Sequence, residues 1–314
     1  MSTDKLIDLK IGGRSGWLRL KAGNLEKEPG RRRAVVANNT DKSILITGCS
    51  TGIGYTSAHA LHKSGWQVFA TARNETDITR LKSEGLNALH LDYTDPASIK
   101  RTAEEVLNHT DGRLYALFNN GAFGQPGAVE DLTTDVLRQQ FETNFFGWHE
   151  LTRSLIPAMR ANGGGRIVQC SSVLGFVSPP YIGAYNASKH ALEALTDAMR
   201  IELKETGIKV VLIEPGPIWT EFTKSALNAF NENIDATASH HGEVYARMVQ
   251  SMEEGQNSRF KLPAEAVHAK LLKALNAPNP KPRYFVTLPT YVAAITKRTL
   301  PNRLQDWILA RARR

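Results

Sequence analysis

From Ser43 onward the chain repeats one unit: a short, unbroken run of apolar and β-branched residues, a turn signal, and then enough residues for a helix. The runs are 43–47 (SILIT), 66–71 (WQVFAT), 86–91 (LNALHL), 113–118 (RLYALF), 166–170 (RIVQC) and 208–213 (IKVVLI). Continuous rather than alternating apolar strands, joined by helical crossovers, predict a parallel sheet covered on both faces. The expected fold is therefore α/β, a doubly wound parallel sheet (Rossmann-like) with right-handed crossovers. A further run at 284–287 (YFVT) can add one edge strand, and the remainder to Arg314 reads as helical.

The rhythm is lost in two places. Residues 223–257 are polar, carry Asn and His clusters and show no strand pattern, so a substrate lid is expected over about 221–262, inserted in a single domain spanning 41–288. Residues 1–40 hold Gly12, Gly13, Gly16, Gly23, Pro29, Gly30 and Arg31 to Arg33 without a sustained hydrophobic period, which predicts a flexible N-terminal tail.

Composition matters mainly for partners. With 314 residues, 41% hydrophobic and 22% charged, the chain can bury a substantial core. Its net charge of +8 raises the question of nucleic acid. The net positive charge resides at the ends: residues 1–40 hold +5 and residues 281–314 hold +7, which leaves −4 for the body between them. No nucleic-acid partner is expected. The last stretch, 290–314, mixes apolar and basic residues as an interfacial helix would, so 289–314 is read as a basic amphipathic helical segment capable of peripheral contact with an anionic membrane. A terminal helix packed on the domain is the competing reading. Two cysteines cannot form a disulfide framework, the charges Asp4, Lys5, Asp8, Lys10, Arg14 and Arg19 break up any signal-peptide core, and no run approaches the ~18 apolar residues of a membrane span. A cytoplasmic protein is expected.

The first strand runs into Thr47-Gly48-Cys49-Ser50-Thr51-Gly52-Ile53-Gly54 ahead of a helical stretch. Glycines at such a turn let backbone N–H groups approach a pyrophosphate, and the helix N-terminus adds partial positive charge. The same residues match G-x-S-x-G, with Ser50 as a nucleophile. That elbow needs strands and an oxyanion loop before it, whereas only a polar tail precedes this one. The spacing is G-x3-G-x-G, and no Gly-Lys-Ser/Thr follows, which excludes a Walker loop. At the end of the second strand, where NAD-preferring sheets place a carboxylate, the chain has Ala72 followed by Arg73. A guanidinium there favours a 2′-phosphate, hence NADP(H) over NAD.

The fifth strand leads into Cys170-Ser171-Ser172, and Tyr185-Asn186-Ala187-Ser188-Lys189 opens a helical segment beyond it. Tyr185 and Lys189 share one helix face. A free tyrosine, with a pKa of about 10, is a poor base near neutrality. An ammonium ~4 Å away at an effective dielectric of ~20 is worth about 4 kcal/mol, roughly three pKa units, and would bring Tyr185 near neutrality. His59 and His62 lack a third ligand and His240-His241 read as a solvated loop, so no metal is expected. Cys49 and Cys170 read as packing residues.

Taken together these motifs resemble the classical short-chain dehydrogenase/reductase family, in the branch of bacterial aldehyde reductases and retinol and 17β-hydroxysteroid dehydrogenases. The match spans about 43–288 and adds Asp92 after the third strand, Asn119-Asn120 after the fourth, Asn144 in TNFFG, and Pro215-Gly216 with Thr220. The resemblance implies an NADP(H)-dependent oxidoreductase that interconverts an apolar aldehyde or ketone with its alcohol. By it, Tyr185 gives a proton to the carbonyl oxygen, Ser172 holds that oxygen, Lys189 binds the nicotinamide ribose and lowers the tyrosine pKa, and Asn144 bends its helix and holds a water. Gly48, Ser50, Thr51, Gly52, Ile53, Gly54, Arg73 and Pro215 would line the cofactor, with Asp92 at the adenine, Asn120 at the adenosine ribose, and Ile218 and Thr220 at the carboxamide. Aromatic residues Phe176, Tyr181, Trp219 and Phe222 would surround the substrate. The family's usual Asn-Asn-Ala-Gly is Asn119-Asn120-Gly121-Ala122 here, which implies a methyl near the ribose and weaker cofactor binding. A homodimer or homotetramer through helices at 133–162 and 183–206 is also implied. The rival reading is a redox sensor that binds NADP without turnover.

Overall fold

The computed structural model describes residues 42–254 and 260–311. The tail expected over 1–40 lies outside them. The chain runs β1 (Ser43–Ile46), α1 (Gly52–Lys63), β2 (Gln67–Ala72), α2 (Glu75–Ser83), β3 (Asn87–His90), α3 (Pro96–His109), β4 (Ala116–Asn119), α4 (Thr134–Phe141), α5 (Gly147–Ala161), β5 (Gly165–Cys170), α6 (Gly183–Glu202), β6 (Ile208–Glu214), α7 (Phe222–Asn233), α8 (Gly242–Glu253), α9 (Glu265–Asn276), β7 (Arg283–Phe285), α10 (Leu288–Thr299) and α11 (Asn302–Arg311).

The strands form one seven-stranded sheet in the order β3-β2-β1-β4-β5-β6-β7, with every pairing parallel. The order reverses between β1 and β4, and a crevice at such a switch point is where doubly wound sheets bind ligands. The continuous apolar runs find their reason in this packing: Ile44, Leu45, Ile46, Val68, Leu117, Phe118, Ile167 and Val168 are all fully buried. Each such side chain contributes about 1.5–3 kcal/mol over its exposed state.

Local chemistry sets several helix starts. The Asp95 carboxylate caps α3 by accepting from the Ala97 N–H at 2.8 Å, with Pro96 just inside the helix. Thr133 caps α4 through the Val136 N–H at 3.3 Å. The fourth strand begins three residues later than its apolar run, at Ala116, and β7 takes the outer edge beside β6.

The stretch expected as a lid holds two helices, α7 and α8, and no strand among its described residues. Its return is pinned to the loop after β6 by a bridge between Ile218 and Leu262, with the Trp219 N–H donating to the Leu262 carbonyl at 2.9 Å. His241 is not a solvated loop residue. Its ring meets the Tyr181 hydroxyl at 3.3 Å and the Glu130 carboxylate at 2.6 Å, tying α8 to the loop after β4. Among the described residues no helix is long and apolar enough to cross a membrane.

Candidate active site

A cavity of about 830 Å³ opens where the strand order reverses, between the glycine loop, the ends of β4, β5 and β6, the first turns of α6, and helices α7 and α10. Gly48, Ser50, Thr51, Gly52, Ile53, Arg73, Asn120, Ser172, Tyr185, Lys189, Pro215, Ile218 and Thr220 all line it. Gly54, Asp92 and Asn144, also singled out in the sequence, do not. Asp92 turns back on its own loop, where its carboxylate accepts from the Thr94 N–H at 2.9 Å and hydroxyl at 2.8 Å.

The glycine loop is shaped by close approach of the chain to itself. Gly48 adopts φ +68° in van der Waals contact with Gly121, and a methyl on Gly54 would run into the Gly48 carbonyl. Thr47 and Asn120 brace the loop. The Thr47 hydroxyl accepts from the Asn120 N–H at 2.8 Å, and the Asn120 amide donates to the Thr47 carbonyl at 3.0 Å. Gly121, rather than Ala122, lies against Gly48, where a methyl would sit 3.1–3.2 Å from the Gly48 backbone. At the start of α1 no side chain caps the helix and no acidic residue sits in the first turn. Its N–H groups and dipole remain available to an anion. Arg73, exposed at the cavity wall, has no hydrogen-bond or ion-pair partner among the described residues.

The opposite end of the cavity is polar and buried. Ser172, Tyr185 and Lys189 are 9%, 7% and 1% exposed. The Ser172 hydroxyl accepts from the Leu174 N–H at 3.1 Å, and Tyr185 packs edge-on against Phe222 of α7 at 5.3 Å between ring centres. Lys189 donates to the Cys170 carbonyl at 2.9 Å, and its ammonium lies 4.1 Å from the centre of the Trp148 ring and 5.8 Å from that of Tyr185. One backbone acceptor leaves two of its three N–H donors free for a ligand.

This geometry corrects the electrostatic expectation. Burial pushes the Tyr185 phenol above its ordinary value, with hydrogen bonding from Ser172 opposing the rise, while burial brings the Lys189 ammonium down to about 8. The direction at Tyr185 is thus opposite to the one its i, i+4 spacing from Lys189 suggests: burial favours the protonated phenol, while the Lys189 ammonium is held on the Cys170 carbonyl.

Asn144 acts from behind the wall. It lies in a π-helical turn, Glu142–Phe146, between α4 and α5, fully buried. Its carboxamide exchanges two hydrogen bonds with the Phe123 backbone, at 2.8 and 3.2 Å, and reaches the Ser188 hydroxyl at 3.5 Å. The loop after β4 is thereby locked to the helix carrying Tyr185 and Lys189.

Of the aromatic residues expected around the substrate, only Phe222 lines the cavity. Phe176 packs on Phe285 at the sheet edge, Tyr181 on Tyr245 and His241, and Trp219 stacks under Lys261. The wall there is aliphatic: Val173, Leu174, Val177, Ile182, Ala226 and Val292. Ser50 is on the wall, yet no base is hydrogen-bonded to its hydroxyl among the described residues, which disfavours a nucleophile elbow. Both cysteines are buried thiols raised by burial, Cys49 to about 12 and Cys170 to about 11, and no metal-binding cluster occurs among the described residues.

Sequence reasoning missed two groups. Trp148 donates to the Gly121 carbonyl at 2.8 Å and carries the Lys189 ammonium on its face. Behind Ser171, the carboxylates of Glu193, Asp197 and Glu214 converge on Arg283, which bonds Glu214 at 2.7 Å, Asp197 at 2.6 Å and also Glu193. The i, i+4 spacing of Lys189 and Glu193 hinted at the first carboxylate, but nothing local links Arg283 to it.

The short chain dehydrogenase family model matches residues 42–230. The chain is 46% identical over 268 residues to the uncharacterized oxidoreductase YbbO of Escherichia coli, covering 85% of this chain and 94% of that one. It is 33% identical over 272 residues to the NADPH-dependent 3-dehydrocapnine reductase of Ornithobacterium rhinotracheale, covering 84% and 94%. A short-chain dehydrogenase from Streptomyces avermitilis superposes with a TM-score of 0.70 at 29% identity, over 85% of this chain and 96% of that one. With the parallel sheet, the glycine loop and these likenesses in agreement, the chain belongs to the short-chain dehydrogenase/reductase family of oxidoreductases.

Proposed function

We propose that the protein is an NADP(H)-dependent carbonyl reductase that converts an apolar aldehyde or ketone to its alcohol at Ser172, Tyr185 and Lys189. The observation that carries this reading is the pairing, in one cavity, of the buried Ser172, Tyr185 and Lys189 with an aliphatic wall beside them.

The residues fit a dinucleotide. The uncapped start of α1 and the loop 48–54 would take its phosphates, Arg73 a 2′-phosphate, and the free donors of Lys189 a ribose, with Ile218 and Thr220 near the nicotinamide. Bound there, NADPH would supply a hydride. The chain's own part is acid catalysis and positioning. The Ser172 hydroxyl orients the carbonyl oxygen, the Tyr185 O–H releases its proton to that oxygen, and the aliphatic wall excludes water. Lys189, brought down to about 8, holds a proton it can give up near neutrality to restore Tyr185. The name of the 33%-identical reductase, which specifies NADPH, agrees with this cofactor.

The test is NADPH and NADH oxidation against retinoids, steroids and alkyl aldehydes. Wild-type turnover with NADPH is expected, and Tyr185→Phe should lower it about 10²–10⁴-fold with cofactor binding retained. Tight NADPH binding with no turnover on any carbonyl would point instead to a redox sensor.

A further inference from the structure

Helices α10 and α11 are amphipathic in the wrong sense for a packed terminus. On α10, Leu288, Tyr291, Val292 and Ile295 follow the i, i+3, i+4, i+7 spacing of one helical stripe, yet they are 63%, 51%, 43% and 63% exposed for Leu288, Val292, Tyr291 and Ile295 respectively. On α11, Leu304, Trp307 and Ile308 repeat the pattern at 42%, 56% and 41% exposure. Thr290 is the one fully buried residue of the two helices. Lys297, Arg298, Arg303 and Arg311 stand exposed on the same pair, against a single carboxylate, Asp306.

The apolar stripe is continuous with the cavity. Val292 and Ile308 are exposed and also line it, so the cavity reaches the surface between these helices. We propose that α10 and α11 form a platform that seats the protein on an anionic lipid surface, with this opening of the cavity against the bilayer, so that a lipid-soluble substrate enters from the membrane.

The charge selects this occupant over a second copy. Two copies docking face to face would oppose one basic stripe to another. An anionic leaflet attracts the basic residues, about fivefold in partition for each cation near the surface, while the exposed apolar side chains enter the headgroup boundary. The seating itself is independent of the catalytic reading; the entry route rests on it.

The test uses the full chain and phosphatidylcholine vesicles with or without phosphatidylglycerol. Wild-type protein should float with the anionic vesicles, weakly with the neutral ones, and be released by about 0.5 M NaCl. Ile295→Glu combined with Trp307→Glu, at positions outside the cavity wall, should lower binding at least about tenfold while turnover of a short water-soluble aldehyde stays unchanged. Lys297→Glu with Arg298→Glu is the second variant, and should abolish the preference for anionic vesicles. Wild-type protein that binds neither vesicle, or variants that bind as wild type does, would overturn the proposal. So would a change of oligomeric mass in the first variant, which would assign the stripe to a second copy. An enzyme that binds vesicles yet reduces no carbonyl would leave the platform standing and remove only the entry route.

Discussion

Lys189 and Val292 line the same cavity, yet the first is 1% exposed and the second 51%. The wall around Lys189 is assembled from strand ends and the helices directly behind them, where every side chain is held by several elements at once. The wall around Val292 comes from helices that follow the last strand and rest on the domain by one side. A site that must place a proton to within a fraction of an ångström needs the first kind of support. One that must admit varied apolar shapes is served by the second, and mobility concentrates where few buried contacts hold an element.

The largest effect that would test this contrast lies behind the inner wall. Arg283→Met strips the counterion from Glu193 and Glu214, both buried, and is expected to lower unfolding stability by about 3–5 kcal/mol in urea titrations. The same cluster gives a pH signature. Burial, and then the charge of Glu193, push the Glu214 carboxyl upward against the pull of Arg283. A carboxyl raised on folding favours the native state while protonated, so its contribution is complete at acid pH and lost as pH climbs above the ordinary carboxylate range. Glu214→Gln should flatten that decline; an unchanged slope from about pH 5 to 8 would assign it to other groups.

An intermediate effect is expected at the cofactor end. Arg73→Asp should weaken NADPH binding about tenfold to a hundredfold and NADH little, read by fluorescence titration. Equal weakening of both would mean that Arg73 does not face a 2′-phosphate. The smallest effect belongs to the terminal helices beyond the wall: Ile295→Glu and Trp307→Glu should each change stability by no more than about 0.5 kcal/mol, since neither side chain is buried. A larger loss would show the terminal helices to be packed more like the inner wall than their exposure indicates.

The same contrast governs what could be read from the sequence. The strands were legible because their apolar runs are buried on both faces, and the loop at 47–54 because glycine spacing records backbone approach. Which backbone approaches was not legible: Gly48 meets Gly121, more than seventy residues away, and only the sheet order brings them together. Asn120 illustrates the same gap, since its amide nitrogen donates to the carbonyls of Thr47 and Gly48, a long-range brace that no local pattern records. The place of the Lys189 ammonium was not legible either, because the i, i+4 spacing fixes a face but not the rotamer that carries it to the Cys170 carbonyl. Of the four aromatic residues expected around the substrate, Phe222 alone lines the cavity, and periodicity cannot separate it from Phe176 or Trp219. On α10 and α11 the amphipathic pattern was plain, whereas the direction of the apolar stripe required coordinates.

The carboxylate cluster also bears on the order in which the molecule is completed. Glu193 and Asp197 leave the ribosome ninety and eighty-six residues ahead of Arg283. At about 5–20 residues per second Glu193 therefore waits roughly 5–20 s for Arg283, whereas Asp197 has Arg200 three residues on. By then the residues of β1 to β4 and of the glycine loop have all been made. The helix that carries Tyr185 thus gains the Arg283 contact only when the edge strand β7 arrives, and a chain arrested before residue 283 is expected to lack it while keeping every residue of the glycine loop.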